Sequence, residues 1–383
     1  MMSSILIITG ENSGEKYGAR LVHEFKKLYP SVSFFGIGGN QMEEEGVQLL
    51  FSIKEMALVG GFEIIIHLPR LKKIFDCLKK EINLRKPIAS VLIDSPDFNL
   101  RLARELKKKS IPVLYYISPT VWAWRKRRLK TIKKTVDKML LIFPFEENIY
   151  KEHEIPAVYV GHPLREALKI SLSKEEFFKK YGFDPQKKLI SILPGSRKSE
   201  LKFHMPVLLE ALHKIKNEFS AQFLLLLAEN LEPHLLNNYI LSHIKDLKIL
   251  ADNKYEAMAY SCLVLSACGT ANLEAALLEV PLISFYRILP FTHFVGAKFV
   301  YIKNYSIVNI LAGKRIIPEL IQKDFTPENI FKETENILGS DEVKSKMIKN
   351  YKSIKAILGE RLASQNAAKE LENIIRFHDR QNI

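Results

Sequence analysis

Short apolar runs, each ending in a loop of small or acidic residues, alternate with amphipathic stretches along most of this chain. Ile5–Ile8 leads into TGENSGEKYG; Tyr17, Leu21, Val22, Phe25 and Leu28 then recur at helical spacing until Pro30 stops them. Phe34–Ile37 ends in Gly38-Gly39, Ala89–Ile93 at Asp94, and Val113–Ile117 at Ser118-Pro119, and Met139–Phe143 and Val158–Val160 continue the series. Strands alternating with helices predict a parallel α/β sheet, whose ligands sit beyond the carboxyl ends of the strands. The polar motifs of this chain fall at such ends.

The alternation restarts after GHPLREALKI (Gly161–Ile170), with runs at Leu189–Leu193, Phe223–Ala228, Leu247–Leu250, Leu263–Ser266 and Leu282–Phe285. A length of 383 residues favours two domains, and 47% hydrophobic content is ample for two cores. We place the first domain at 1–170 and the second at 171–345, with polar helices to the end of the chain. Each half carries strand–loop–helix patterns suited to phosphate: ILIITGENSGEKYGARLV in the first, LISILPGSRKSEL and SACGTANLEAALL in the second. The first N–H groups of a helix lack intrahelical partners and its dipole favours negative charge. Two such halves suit an enzyme that grips a nucleotide-sugar on one side and an acceptor on the other.

Cys77, Cys262 and Cys268 show no metal-ligand spacing and cannot all pair, which fits a reducing compartment. No stretch reaches the roughly 20 apolar residues of a membrane span, and no signal-peptide pattern opens the chain, so a cytoplasmic location is expected. The net charge of +14 implies an acidic partner: nucleic acid, an anionic membrane or a phosphorylated substrate. Its densest cluster, Arg125–Lys134, directly follows Trp122 and Trp124. That run is either a solvated helix face or a membrane-interface pairing of Trp with Arg and Lys. The segment Ala57–Lys80, rich in Ile, Leu and Phe with later Lys and Arg, is either a core helix or an amphipathic surface for acyl chains or lipid.

The chemistry-bearing residues sit in these loops. Glu11, Ser13 and Gly14 open a helix, where they form a plain cap or meet an acceptor. In IDSPDFN, Asp94 directly follows a strand and is the better candidate for a base that removes a sugar hydroxyl's proton; Asp97 suits a cap for the next turn or helix. Ser118, Trp122 and Trp124 either pack or offer aromatic faces to sugar and acyl groups. His162 either lines a cleft or satisfies a turn. Arg197 in LPGSR suits a diphosphate leaving group. Gly269 and Thr270 start a helix, and Glu274, one turn in, can accept ribose hydroxyls. There is no DxD sequence, so metal-dependent diphosphate binding is not suggested.

Taken together, IDSPDFN, SPTVWAW, LPGSR, CGTANLEA and NILAGKRIIPELIQ (Asn309–Gln322), in this order, resemble the lipid-A-disaccharide synthase family over nearly the whole chain. The resemblance implies a GT-B architecture, two Rossmann-like domains with an interdomain cleft, and C-terminal helices (346–383) that return to the first domain. It implies an inverting, metal-independent glycosyltransferase without cofactor, joining UDP-2,3-diacylglucosamine to 2,3-diacylglucosamine 1-phosphate through a β-1,6 bond. Asp94 matches the family's base, Glu11 and Ser13 its acceptor-side loop, and Arg197, Glu274, Arg287 and Asn309 its donor-side residues. Residues 57–80 fall where the family has a membrane-docking, acyl-binding element, implying peripheral attachment to the cytoplasmic face of the inner membrane. Some members form homodimers by exchanging C-terminal parts, which puts a homodimer among the expectations. Glu15 and Cys268 stand where Asp and Ser are usual; Arg165 also departs from the pattern.

Anionic lipid substrates account for the positive charge, so no nucleic-acid partner is needed. Two other readings stay open: another nucleotide-sugar enzyme of the same architecture, such as a UDP-N-acetylglucosamine 2-epimerase, and a basic RNA- or membrane-binding module. The epimerase has no need of the tryptophan pair and its basic run, and the module has no need of Asp94, Arg197 and Glu274 at strand ends.

Overall fold

The computed structural model describes residues 3–56, 64–228, 231–237, 239, 246–288 and 303–381. The chain forms two compact units, Met1–Glu166 with Glu360–Ile383, and Ala167–Gly359.

In the first unit, β1 (Ser4–Thr9), β2 (Ser33–Gly38), β3 (Val47–Ser52), β4 (Ala89–Ile93), β5 (Val113–Tyr116), β6 (Lys138–Leu141) and β7 (Ala157–Tyr159) form a parallel sheet ordered β3-β2-β1-β4-β5-β6-β7. Every residue of β1 is buried. Its side chains alternate between two cores, as a strand's twofold period requires: Leu6 and Ile8 join one, Ile5 and Ile7 the other. The first core is closed by Ile74, Leu78 and Ile82 of helix Ile64–Arg85. Those residues make the later part of the segment beginning at Ala57 a core helix; residues 57–63 lie outside the described residues.

The second core is closed by helix Asn12–Leu28 and by Ala363, Ala367, Ala368, Leu371 and Ile374 of the C-terminal helix Ala363–Gln381. The returning chain is clamped to the end of β7. Arg361 donates to the carbonyl of Tyr159 (2.6 Å), Asn366 to that of Val160 (2.9 Å), and the backbone N–H of Ser364 to Glu166 (2.9 Å). Helix Asp341–Leu358 does not return. It buries Met347, Tyr351, Ile354 and Leu358 and packs on helices of the second unit. The expected return from residue 346 is therefore corrected to one beginning at Glu360, because that helix's apolar face is already covered.

The second unit repeats the plan. β8 (Lys188–Leu193), β9 (Ala221–Leu226), β10 (Leu247–Leu250), β11 (Leu263–Ala267), β12 (Leu282–Tyr286) and β13 (Glu319–Ile321) are parallel in the order β10-β9-β8-β11-β12-β13. In both units the strand order reverses beside the first strand, between β1 and β4 and between β8 and β11. Crossovers leaving to opposite faces open a crevice there, at the carboxyl ends of the strands. The edge strands β3 and β13 add to the strands expected from sequence.

Gly161 shows how tightly the C-terminal segment is seated. Its φ is +110°, and a Cβ there would lie 2.4 Å from the carbonyl oxygen of Arg361. Gly161→Ala is expected to cost about 2–4 kcal/mol through backbone strain and overpacking. Thermal unfolding is the readout, with Gly339→Ala, where a Cβ meets nothing within 4 Å, as a control that should barely move the midpoint.

Candidate active site

β4 ends at Ile93, and the chain turns through two consecutive left-handed residues, Asp94 (φ 48°) and Ser95 (φ 44°), before helix Pro96–Lys108 begins. The turn is held from three sides. Asn99, fully buried, donates to the carbonyls of Ile93 (3.0 Å) and Asp94 (2.8 Å). The Tyr115 hydroxyl donates to the Asp94 carbonyl (2.5 Å), and the Asp94 N–H to Tyr116 (3.0 Å). Burial, and secondly the charge of Glu11, pushes the Asp94 carboxyl up to about 7. Glu11 is therefore close to Asp94, the two loops at the switch point meeting as the sheet order requires.

Gly14 packs closely on β1 and β4. A Cβ on it would sit 2.3 Å from Thr9 Oγ1, so its smallness lets helix Asn12–Leu28 pack on β1 and β4. Glu11 precedes the helix without a side-chain capping bond, is exposed, and leaves its carboxylate to the crevice; Ser13 is half-buried. Glu15 accepts from the N–H of Gln41 (2.9 Å), capping the neighbouring short helix Asn40–Glu44.

Asp97, expected as a cap, is an ion-pair centre instead. Arg125 Nη1 donates to both its carboxylate oxygens (3.0 and 3.1 Å) and Arg128 Nη2 to one (2.6 Å). Burial raises the Asp97 carboxyl, but the two guanidiniums outweigh it and the net shift is downward. Trp124 is covered by the same guanidiniums, 4.3 and 5.4 Å from its ring, and its Nε1 donates to Thr120 (2.7 Å). Trp122 meets Phe145 edge-on at 5.5 Å. Ser118 is buried and bonded to Tyr150 (2.8 Å) and to the Pro119 carbonyl (2.9 Å), so it braces the loop from inside. His162 is buried too, accepts from the N–H of Leu164 (3.2 Å), and is pulled down to about 3 by burial. It is a neutral ring closing its own turn, with no face for sugar or lipid.

Sequence reasoning missed Glu146, a buried acid pushed up to about 8 by its burial and placed beside Ser118 and Trp122. The PFEEN run gave no signal, since the burial comes from partners far away in the chain.

In the second unit, Gly195 (φ +127°) turns the chain after β8, and Arg197 precedes helix Lys198–Glu218. The N–H groups of Ser196 (2.8 Å) and Arg197 (3.3 Å), expected to be open to phosphate, donate to the buried carboxylate of Glu200. Glu200 also accepts from the Tyr286 hydroxyl (3.1 Å). The Arg197 side chain itself is 69% exposed and 3.5 Å from Glu200. After β11, Gly269 and Thr270 are exposed at the start of helix Thr270–Leu277, whose N-terminus carries no side-chain cap. Cys268 cannot help them: its N–H is bonded to Phe285 (2.8 Å) and burial pushes its thiol up to about 12.

Three donor-side candidates are engaged within the protein. Glu274 is buried and paired with Lys254. Arg287 donates to the carbonyls of Gln322 (3.0 Å) and Phe325 and stacks over the Phe325 ring at 5.2 Å. Asn309 is fully buried: it donates to Ile317 (3.1 Å) and Glu319 (2.8 Å) and accepts from Ile316 (2.7 Å) and Ile317 (3.0 Å). With both donors and its oxygen spent, Asn309 acts as a loop clamp, not as a side-chain ligand.

This arrangement has close relatives. A family model described as lipid-A-disaccharide synthetase matches residues 5–375. A lipid-A-disaccharide synthase of Solibacter usitatus is 35% identical over 367 residues, covering 96% of this chain and 95% of its own. One of Anaeromyxobacter dehalogenans is 36% identical over 378 residues, 98% of each chain. Among solved structures, the chain resembles the UDP-GlcNAc 2-epimerase of Neisseria meningitidis bound to UDP-GlcNAc (TM-score 0.64, 14% identity, 98% of this chain and 100% of that one). It also resembles a glycotransferase of kitacinnamycin (TM-score 0.68, 11% identity, 98% and 100%). These likenesses establish the GT-B fold, and the match along the sequence goes further: the chain belongs to the lipid-A-disaccharide synthetase family, glycosyltransferases of lipid A biosynthesis.

Proposed function

We propose that the protein transfers a 2,3-diacylglucosamine unit from UDP to the 6-hydroxyl of 2,3-diacylglucosamine 1-phosphate, giving the β-1,6-linked disaccharide 1-phosphate and UDP. The observation that carries this reading is the Asp94 carboxylate, held at the switch point with its pKa raised to about 7. A hydroxyl is a poor nucleophile until its proton leaves, and a base titrating near the working pH is best matched to take it. As Asp94 accepts the proton, the hydroxyl oxygen bonds to the anomeric carbon from the face opposite the diphosphate. The carbon–oxygen bond to UDP breaks and the anomeric centre inverts.

The leaving diphosphate needs positive potential around it. In the second unit the exposed Arg197 side chain and the uncapped N-terminus of helix Thr270–Leu277 can supply this without a metal ion. Glu200, Asn309 and Arg287 support this by fixing the loops. Both substrates are anionic lipids, so the +14 charge suits a protein working at the cytoplasmic face of the inner membrane.

The test is UDP release in detergent micelles from the diacylated UDP-glucosamine, with and without acceptor, in the presence of chelator. Acceptor-dependent release with a new disaccharide by mass spectrometry is expected; release of UDP without a disaccharide would refute the reading. Asp94→Asn should keep UDP binding while slowing turnover about 100-fold or more, the usual worth of a general base.

Two pH experiments follow from the raised pKa. Only the carboxylate accepts a proton, so kcat/KM should fall as pH drops through about 7. Glu11→Gln, which removes one cause of the upward shift, should move that acid limb to lower pH. Stability runs the other way. The folded state binds the Asp94 proton more tightly than the unfolded chain, so the wild type loses stability as pH rises from the ordinary value of 3.8 toward 7. Asp94→Asn should therefore melt above wild type at alkaline pH, with the gap narrowing on acidification.

A further inference from the structure

A charged cluster lies beside Asp94 and takes no part in the proton transfer. Arg125 and Arg128 converge on the single carboxylate of Asp97, one helical turn beyond the base. We propose that the two guanidiniums form an anion subsite for the acceptor's phosphate monoester, and that Asp97 occupies it when no acceptor is bound. This inference rests on the reading of the acceptor given above.

The geometry is that of a built site. The Arg128 side chain is only 12% exposed, stands over Trp124, and donates to Asp97 at 2.6 Å. Arg125 adopts a left-handed backbone (φ 54°), and its carbonyl accepts from the Arg128 N–H (2.9 Å), closing a turn that brings both guanidiniums to one side. Trp124 is fixed in turn through its bond to Thr120 (2.7 Å). Two stacked, pre-ordered forks match the bidentate geometry of phosphate oxygens.

Charge favours an exchange. Two guanidiniums facing one carboxylate leave one positive charge unbalanced, whereas a phosphate monoester brings up to two negative charges and three acceptor oxygens. Asp97 is 74% exposed, so it can swing into water at little cost. The Arg125–Asp97 pair, exposed on both sides, contributes little stability as an ion pair alone. Arg128 is also near enough to favour the ionised form of Asp94. A phosphate across the guanidiniums weakens that influence and leaves Asp94 a stronger base when the correct acceptor is in place.

Phosphate can also come from bilayer headgroups, so the experiment has separate arms. Initial rates in neutral detergent micelles are compared for 2,3-diacylglucosamine 1-phosphate and its dephosphorylated counterpart, with wild type, Arg125→Ala and Arg128→Lys. The wild type should prefer the phosphorylated acceptor, and each variant should shrink the ratio of kcat/KM values by about 10–100-fold, the worth of one or two charge-assisted hydrogen bonds. An equal loss on both acceptors, or an unchanged ratio, overturns the proposal. Variants that lose binding to phosphatidylglycerol vesicles but keep the ratio also overturn it, and assign the cluster to the membrane. Binding of glucosamine 1-phosphate against glucosamine, by calorimetry, separates the two levels of the argument. If wild type makes no disaccharide yet binds the phosphate through these arginines, the anion subsite stands and the proposed reaction falls; without such binding, the subsite falls.

Discussion

The first unit's crevice depends on two consecutive non-glycine residues, Asp94 and Ser95, held in the left-handed region. Such a conformation costs roughly 1–2 kcal/mol per residue, so it persists only where other bonds over-determine it. Asn99 and Tyr115 do so, together placing three donated hydrogen bonds on the carbonyls of Ile93 and Asp94. The turn then dictates its neighbours. A Cβ on Gly10 would lie 2.3 Å from Ser95 Oγ, so the loop after β1 packs closely on this turn. The next residue is Glu11, whose charge acts on Asp94. Backbone strain, a glycine and a raised pKa are thus consecutive steps of one arrangement.

The second unit braces the same topology in a similar way. Asn272 after β11 occupies the place of Asn99 after β4 and donates to the last residue of its strand, Ala267 (3.1 Å). Glu319 plays an analogous part at the sheet edge, accepting from the N–H groups of Tyr305 (3.0 Å) and Ser306 (2.9 Å) and from Asn309 (2.8 Å). Glu200 braces the β8 loop in the same manner. A buried polar group is costly unless bonded, and these are bonded to the loops that end the strands. The positive groups that remain toward solvent, Arg197 and the start of helix Thr270–Leu277, then have fixed supports.

Most of this plan was legible in the sequence, for a physical reason. A strand covered on both faces must be apolar throughout, so the central strands stood out as uninterrupted runs. Two of the edge strands, β3 and β13, were not legible: VQLLFS mixes polar and apolar residues, and β13 has three residues. Asp94 and Arg197 were readable because Asp94 directly follows a strand and Arg197 lies in the short turn between a strand and a helix. What stayed open was the assignment of contacts. Ser118, His162 and Asn309 carry polar side chains at suggestive positions, yet each is buried and spent on the protein itself. Their partners come from other parts of the fold, which local spacing does not encode. Trp124 was open for a related reason, and the arginines that follow it lie over its ring.

The contrast between Asp94 and Asp97 shows why proximity alone does not choose a base. The two carboxylates are three residues apart and chemically identical. Asp97 meets two guanidiniums, which stabilise its charge and make it a weaker base. Asp94 is largely withdrawn from water and faces the like charge of Glu11, which destabilises its ionised form and makes it a stronger one. Environments that push paired acids in opposite directions separate their roles: one ready to accept a proton, the other permanently charged. The same burial that suits Asp94 to proton removal makes it a liability for the fold at neutral pH, since an ionised carboxylate there lacks the solvation it would have when unfolded. The bonds from Asn99 and Tyr115 fix the backbone of the turn without neutralising its carboxylate. Stability is thus supplied through the main chain while the side chain remains reactive.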